Sequence, residues 1–170
     1  QVDMDALMEV RDEIEQERNV LMIALEEQAR DLMGDRPINL NSPEQLSWVI
    51  YSRKPHDKKM WADLFDDRMS DSEYRSNVTA YSQKLYKQKA HQCRPCNGGG
   101  QVWKQKKDGT PYAKSNKCGT CGGSGYTFSD VTKDVAGLRF TPPNAKWVSA
   151  NGFGTGKDNL VFLEGIARSK

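Results

Sequence analysis

Four cysteines form two CxxC pairs, Cys93 with Cys96 and Cys118 with Cys121, and twenty-one residues separate the pairs. Two thiolates at this spacing bind one metal ion from a tight turn, and two such turns complete a tetrahedral site with no position left for water. A closed site of this kind is structural. The spacing therefore predicts one structural Zn²⁺ held by all four cysteines, and the residues around it should unfold without the ion.

Two other uses of these residues stay open. The pairs could form a disulfide or a redox dithiol, although a reactive CxxC pair opens a helix and glycine-rich turns follow both pairs here. His91 could replace one cysteine as a metal ligand, although four cysteines already satisfy zinc.

The charges of the chain are unevenly distributed. The 170 residues carry a net charge of +2, yet residues 1–35 contain eleven acids and three bases, whereas residues 84–117 contain nine bases and one acid. A division of this size predicts an anionic partner for the basic region. No stretch approaches the roughly 20 apolar residues of a membrane span, and residues 1–7 lack the features of a signal peptide, so we expect a cytoplasmic location and no membrane partner.

Helical spacing dominates the first part of the chain. Apolar residues recur at three- and four-residue steps, which predicts one long helix with Asp3 as its N-cap and Gly34 as its stop. At ~1.5 Å per residue this helix would reach about 45 Å, and we expect it to form an arm. A second helix should start at Ser42 as N-cap, with Gln45 closing a capping box. Weaker helical spacing covers residues 58–65 and 71–80.

The composition changes to Cys, Gly and Lys at residues 93–125. Asp108 and Gly109 predict a hairpin turn within this segment, and residues 135–140 predict a short strand. A final helix should follow Thr155 as N-cap. These observations divide the chain into a helical region at 1–92, a zinc module at 93–125 and a second helical region at 126–170. The predicted fold is mainly α, a long antiparallel helical arm with an inserted β-hairpin zinc module.

Each cysteine repeat reads CxxCxGxG, which resembles the cysteine-rich zinc region of the J-domain co-chaperones. The resemblance covers only the module, and the His-Pro-Asp tripeptide of that family does not occur in the sequence. It implies one possible function, a standalone zinc-ribbon module that binds protein partners.

A second resemblance covers most of the remaining chain. Val2 and Asp3 open a long acidic helix, the segment INLNSPEQL follows at residues 38–46, and FGTGKDNL lies at residues 153–160. These segments resemble the thumb subdomain of family A DNA polymerases, the relatives of bacterial DNA polymerase I. Phage-type members are similar further still, with a cysteine-rich thumb insertion followed by a segment like VAGL at residues 135–138.

The thumb resemblance implies a DNA-binding region that grips the primer-template duplex by its backbone and contacts other subdomains of a nucleotidyltransferase. The catalytic aspartates of the palm, which bind Mg²⁺ in the parent enzyme, the fingers helix and the exonuclease carboxylates have no counterpart in this sequence. We therefore expect a piece of a larger polymerase from a phage or bacterium, without a catalytic site of its own.

The resemblance also indicates which residues contact DNA. Helix starts at Ser42 and Thr155 would offer amides and a hydroxyl to phosphate, with Asn41 and Lys157 beside them, although both turns could merely cap their helices. Basic residues of the hairpin alternate with Trp103 and Tyr112, a pattern typical of nucleic-acid contact or of a solvated hairpin tip. These bases are Lys104, Lys106, Lys107, Lys114 and Lys117. The other tryptophans, Trp48, Trp61 and Trp147, should lie in the core.

Overall fold

The computed structural model describes residues 4–169, so the predicted N-cap Asp3 lies outside the described residues. Helices account for 43% and strands for 20% of the structure. The five helices of the described residues are α1 (Met4–Met33), α2 (Pro43–Tyr51), α3 (Lys58–Trp61), α4 (Asp71–Tyr81) and α5 (Lys157–Arg168). The strands are β1 (Arg53–Pro55), β2 (Ser82–Lys84), β3 (Tyr86–Gln92), β4 (Gln101–Val102), β5 (Asn116–Lys117), β6 (Tyr126–Val135), β7 (Val148–Ser149) and β8 (Gly152–Phe153).

The long first helix is confirmed. It runs for 30 residues, and only Ala29 and Met33 in its last turns are buried. Gly34 ends it in the left-handed region with φ 89°, and the Gly34 amide donates to the Arg30 carbonyl over 2.8 Å. A side chain at Gly34 would collide with the backbone of Gln88, so glycine is required where β3 crosses the helix end.

The predicted antiparallel helical arm is wrong. Within residues 4–169 the next longest helix, α5, has only 12 residues, and four separate two-stranded sheets form between the helices. The longest pairing is the β3–β6 ribbon. Its strands consist mainly of polar residues and contain no fully buried side chain, so the hydrophobic alternation that marks a half-buried strand is weak. The mainly-α prediction is therefore only partly supported.

An aromatic core holds the body together. Trp61 is fully buried, and its ring meets Phe153 edge to face with centroids 5.3 Å apart. Trp61 Nε1 donates to the Gly152 carbonyl over 2.9 Å, and the Tyr51 hydroxyl donates to the Gly154 carbonyl over 2.7 Å. These contacts bring α2, α3 and β8 together, with Tyr74 of α4 and Leu163 of α5 in the same cluster.

The predictions for the tryptophans hold to different degrees. Trp61 lies in the core as expected, and Trp147 is half-buried against the same cluster. Trp48 is half-buried beside a second, smaller cluster formed by Met33, Val49 and Ala136. This second cluster joins the end of α1 to α2 and to the chain that leaves β6.

The predicted strand at residues 135–140 is wrong, because β6 ends at Val135. The following amides satisfy helix carbonyls instead. The amide of Gly137 donates to Leu32, that of Leu138 to Val49 and that of Phe140 to Ile50, over 2.7 to 3.0 Å. The carbonyls at a helix C-terminus lack partners within the helix, so this segment completes the ends of α1 and α2.

Candidate metal centre

The β3–β6 ribbon carries both cysteine pairs at its outer end. Gln92 pairs with Tyr126 at the last position of the ribbon register, and the chain then enters the first turn at Cys93. At about 3.3 Å per residue, the seven residues of β3 span roughly 20 Å. The cysteine module therefore lies well away from the aromatic core.

The four sulfur atoms converge on one point. The Cys93 and Cys118 Sγ atoms are 3.8 Å apart, those of Cys96 and Cys121 are 3.7 Å apart, and all four lie within 4.8 Å of one another. A tetrahedron of sulfurs about 2.3 Å from a zinc ion has edges of about 3.8 Å. The described residues thus hold a four-cysteine cluster that could bind a metal ion.

The two turns are related by approximate twofold symmetry. The Cys93 amide donates to the Gly125 carbonyl over 2.8 Å, and the Cys118 amide donates to the Gly100 carbonyl over 2.9 Å. The Gly100 amide points at Cys96 Sγ and the Gly125 amide at Cys121 Sγ, each over 3.3 Å. Each turn therefore directs one backbone amide at one of its own sulfurs.

The electrostatics of the thiols differ within the cluster. Burial raises the pKa of Cys93 to about 12. Burial also acts to raise the pKa of Cys121, but hydrogen bonds from the amides of Gly125 and Gly123 and from the side chains of Cys96 and Cys118 together outweigh it and bring that pKa to about 6. A hydrogen bond from the Cys121 backbone lowers the pKa of Cys118. A metal ion binds all four as thiolates, so binding would release the protons that remain.

The alternatives to four-cysteine ligation are not favoured by the geometry. A disulfide needs sulfurs about 2.05 Å apart, and all four cysteines are free. His91 lies exposed on the ribbon, where its Nε2 is 2.8 Å from Ser129 Oγ. The metal-ligating cluster found among residues 4–169 does not include His91.

A hairpin projects between the two turns. β4 pairs with β5, and the predicted turn at Asp108 and Gly109 is confirmed by the Gly109 amide donating to the Lys106 carbonyl over 3.0 Å. Trp103 and Tyr112 expose 58% and 51% of their surface, and Lys106 Nζ lies 5.9 Å from the Tyr112 ring centre. The hairpin lysines are all exposed: Lys104, Lys106, Lys107, Lys114 and Lys117. The ion pairs found between described residues include none of them.

The helix start at Ser42 is nearly as predicted. Ser42 Oγ accepts from the Gln45 amide over 3.4 Å, and Pro43 is the first residue of α2. The capping box is incomplete, because Gln45 Oε1 accepts from the Asn39 amide over 2.8 Å and not from Ser42. Asn41 is exposed beside this turn, with its amide bonded to Asn39 Oδ1.

The predicted N-cap Thr155 is wrong. Gly156 caps α5 and makes no side-chain cap bond, while Thr155 is half-buried one residue earlier. The Thr155 hydroxyl therefore lies one residue before the position that caps the free amides of α5. Lys157 is the first residue of α5 and is exposed. The starts of α2 and α5 belong to helices that pack in the aromatic core. They therefore lie in a different part of the molecule from the hairpin lysines at the end of the ribbon.

Sequence reasoning did not single out Arg36, Lys54 and Lys84, which the fold brings to one cavity beside Trp48. No spacing signal could have found them, since they are 18 and 30 residues apart and lie in a linker and two short strands.

Comparison with known proteins found no matching family model, no matching curated protein and no matching solved structure. Among the described residues, no helix combines the length and the apolar character that crossing a membrane requires.

Proposed function

We propose that this chain is a nucleic-acid-binding region in which a structural Zn²⁺ fixes a basic hairpin. The observation that carries this proposal is the anchoring of an exposed tip, with lysines around Trp103 and Tyr112, by four converging cysteine sulfurs. Zinc suits these ligands because four thiolates at tetrahedral spacing form its usual closed structural site. The ion takes no part in chemistry there.

The tip suits the backbone of a nucleic acid. Lysines without ion-pair partners neutralise phosphates and release counterions, which gives affinity without sequence preference. Exposed aromatic rings add stacking or sugar contacts. The turn at Asp108 places the one acid of residues 84–117 at the hairpin end, where its carboxylate is engaged by Thr110.

Duplex DNA is the partner that the thumb resemblance favours. In such a region the exposed start of α2 at Asn41 and Ser42 and the first residue of α5, Lys157, would contact the primer-template backbone. The chain would then be a thumb of a phage-like family A polymerase, and the catalytic step would belong to other subdomains. This proposal assigns no catalytic residue to the present chain.

The test measures duplex binding by the zinc-loaded chain, with fluorescence anisotropy as the readout at several salt concentrations. Two labelled duplexes of unrelated sequence should bind with similar affinity. The variant Lys104→Ala, Lys106→Ala, Lys107→Ala should bind more weakly, whereas a control that removes the exposed lysines Lys59, Lys133 and Lys146 should not. Equal reductions in affinity in both triple variants would reject a specific role of the tip.

One observation favours a second candidate, a protein-binding module of the co-chaperone type. The apolar side chains of α1 are exposed along most of its length, and exposed apolar surface marks sites of protein contact. Among them are Leu7, Val10, Ile14, Leu21 and Leu25. Binding of a reduced, unfolded polypeptide in the absence of duplex binding would favour this candidate.

A further inference from the structure

A cleft of about 240 Å³ lies where β1 and β2 meet the segment that follows β6. Three of the residues that line it are cations, Arg53 of β1, Lys84 of β2 and Arg139 from the segment after β6. None of the described residues that line the cleft is acidic. The cleft therefore has an excess of positive charge, and it is separate from both the cysteine cluster and the hairpin.

The pairing of β1 with β2 places two of these cations side by side. Arg53 lies directly opposite Lys84 in the antiparallel register, so both side chains leave the same face of the pair. Lys54 lies opposite Gln83, and its side chain leaves the other face. Like charges in directly opposite positions destabilise a sheet. An anion in the cleft would offset the repulsion between Arg53 and Lys84.

The two guanidinium groups of the cleft are held by neutral acceptors. Arg53 Nη1 donates to Ser82 Oγ over 3.1 Å, and Arg139 Nη2 donates to the Val135 carbonyl over 3.3 Å. A guanidinium has five N–H donors, so each group keeps donors for a ligand. None of the three cations belongs to an ion pair found between described residues. The cleft thus presents positioned charges that no carboxylate of the described chain neutralises.

Arg139 has a strained backbone. Its φ of 62° lies in the left-handed region, which glycine adopts freely and a residue with a side chain adopts at a cost. Its amide donates to Ser52 Oγ over 2.9 Å, and this bond holds the residue beside the end of α2. Backbone strain of this kind concentrates at functional sites. The turn by itself favours glycine, so the arginine is explained by what its side chain does at the cleft.

We propose that the cleft binds an anion with successive phosphate groups through Arg53, Lys84 and Arg139. Guanidinium groups bind phosphate oxygens through paired hydrogen bonds, and a lysine adds a point charge. Three cations from three segments also exceed the single charge that a carboxylate would bring. The phosphates belong either to a nucleic acid backbone or to a free diphosphate. Only the first source rests on the proposed nucleic-acid function, and it would add a backbone contact on the body, away from the hairpin.

The experiment follows the Nε–H signals of Arg53 and Arg139 by NMR in the full zinc-loaded chain, with the signals assigned from Arg53→Lys and Arg139→Gly variants. Titration with inorganic diphosphate should shift both signals saturably, because new hydrogen bonds form at the guanidinium groups. Lys84→Gln should weaken diphosphate binding about tenfold, as expected for the loss of a hydrogen bond to a charged group. Lys54→Gln is the matched control, because it removes a charge from the other face of the same strand pair, and it should bind normally.

The variant Arg139→Gly separates binding from folding. Glycine adopts the left-handed backbone without strain, so this variant should unfold at the same temperature as the wild type or at a higher one. It should nevertheless bind diphosphate about tenfold more weakly, because the guanidinium is absent. A lower unfolding temperature together with unchanged affinity would show that the arginine is merely structural and would count against the proposal.

The outcomes separate the sources and the hypotheses. A short duplex that shifts both arginine signals and competes with diphosphate identifies a nucleic acid backbone as the ligand. A diphosphate response without a duplex response identifies the free anion and leaves the hairpin test unaffected. Arginine signals that neither ligand moves, or unchanged affinity in the Lys84 and Arg139 variants, overturn the proposal. Loss of duplex binding in the hairpin variant alone would still leave the diphosphate titration intact, so the two proposals fail separately.

Discussion

Gly100 lies so close to Gly123 that a Cβ atom on Gly100 would collide with the Gly123 carbonyl oxygen. The other half of the module repeats this relationship, with Gly125 against the carbonyl of Gly98. The glycines of each CxxCxGxG repeat therefore pack against those of the other repeat. The absence of side chains at these positions is what allows the two cysteine turns to approach each other this closely.

Gly100→Ala should weaken zinc binding markedly. It combines a left-handed backbone, φ 71°, which costs about 1–3 kcal/mol for a residue with a side chain, with a backbone collision that cannot relax cheaply. Gly109→Ala is the matched control, because φ is 83° there but no atom lies within 4 Å of the added Cβ. Competition with a chromogenic chelator measures both affinities. Similar reductions in the two variants would show that the collision is unimportant.

Purified protein should contain one zinc ion per chain, and Cys93→Ser should lose it. Removal of the ion with a chelator should unfold the cysteine module but leave most helical circular dichroism, because the aromatic core around Trp61 makes no contact with the sulfurs. Elemental analysis and far-ultraviolet spectra test this prediction. Full loss of helical signal on chelation would contradict the separation of module and core.

Duplex binding should be weak and independent of sequence, with Kd of about 10⁻⁴ to 10⁻⁶ M at physiological salt. Changing Lys104, Lys106 and Lys107 together to Ala should reduce the slope of log K against log salt by about 0.9 for each phosphate that is no longer neutralised. Stability should change little, because the three residues are exposed. Affinity that does not depend on salt would argue against a backbone grip.

Lys157→Ala should reduce the same slope by about 0.9 at most, because a single charge at the start of α5 neutralises at most one phosphate. The measurement is the salt series used for the hairpin variant. If Lys157→Ala weakens binding while the triple hairpin variant does not, the body carries the DNA contact. The hairpin would then be a surface for an acidic partner other than DNA.

Glu73→Gln should destabilise the protein at neutral pH but not in acid. Hydrogen bonds from the Ser70 hydroxyl and amide to Glu73 lower the pKa of that carboxyl below its ordinary 4.5. A lowered pKa in the folded state contributes stability above the unfolded value, and this contribution is lost as the pH falls through the folded value. Urea unfolding at pH 7 and at pH 3 tests the difference. If the difference in unfolding free energy between the wild type and Glu73→Gln is the same at pH 3 as at pH 7, this assignment is contradicted.

Features that depend on neighbours along the chain could be read from the sequence. The CxxC spacing identified all four members of the cysteine cluster, because two sulfurs in one tight turn are placed by local geometry. The end of α1 at Gly34 and the turn at Asp108 and Gly109 were found for the same reason. The predicted start of α5 is wrong by one residue, since Thr155 and Gly156 are both acceptable caps and local preference does not choose between them.

Features that depend on distant partners came only from the tertiary structure. Helical periodicity described α1 but could not say whether another helix packs along it, and the structure shows most of that face exposed. Residues 135–140 are predicted as a strand, yet the amides of Gly137, Leu138 and Phe140 complete the ends of two helices. Likewise, Arg36, Lys54 and Lys84 line one cavity only because β1 pairs with β2 beside the end of α1. Local sequence sets the conformation of a segment, whereas the choice of its partners depends on packing among all segments at once.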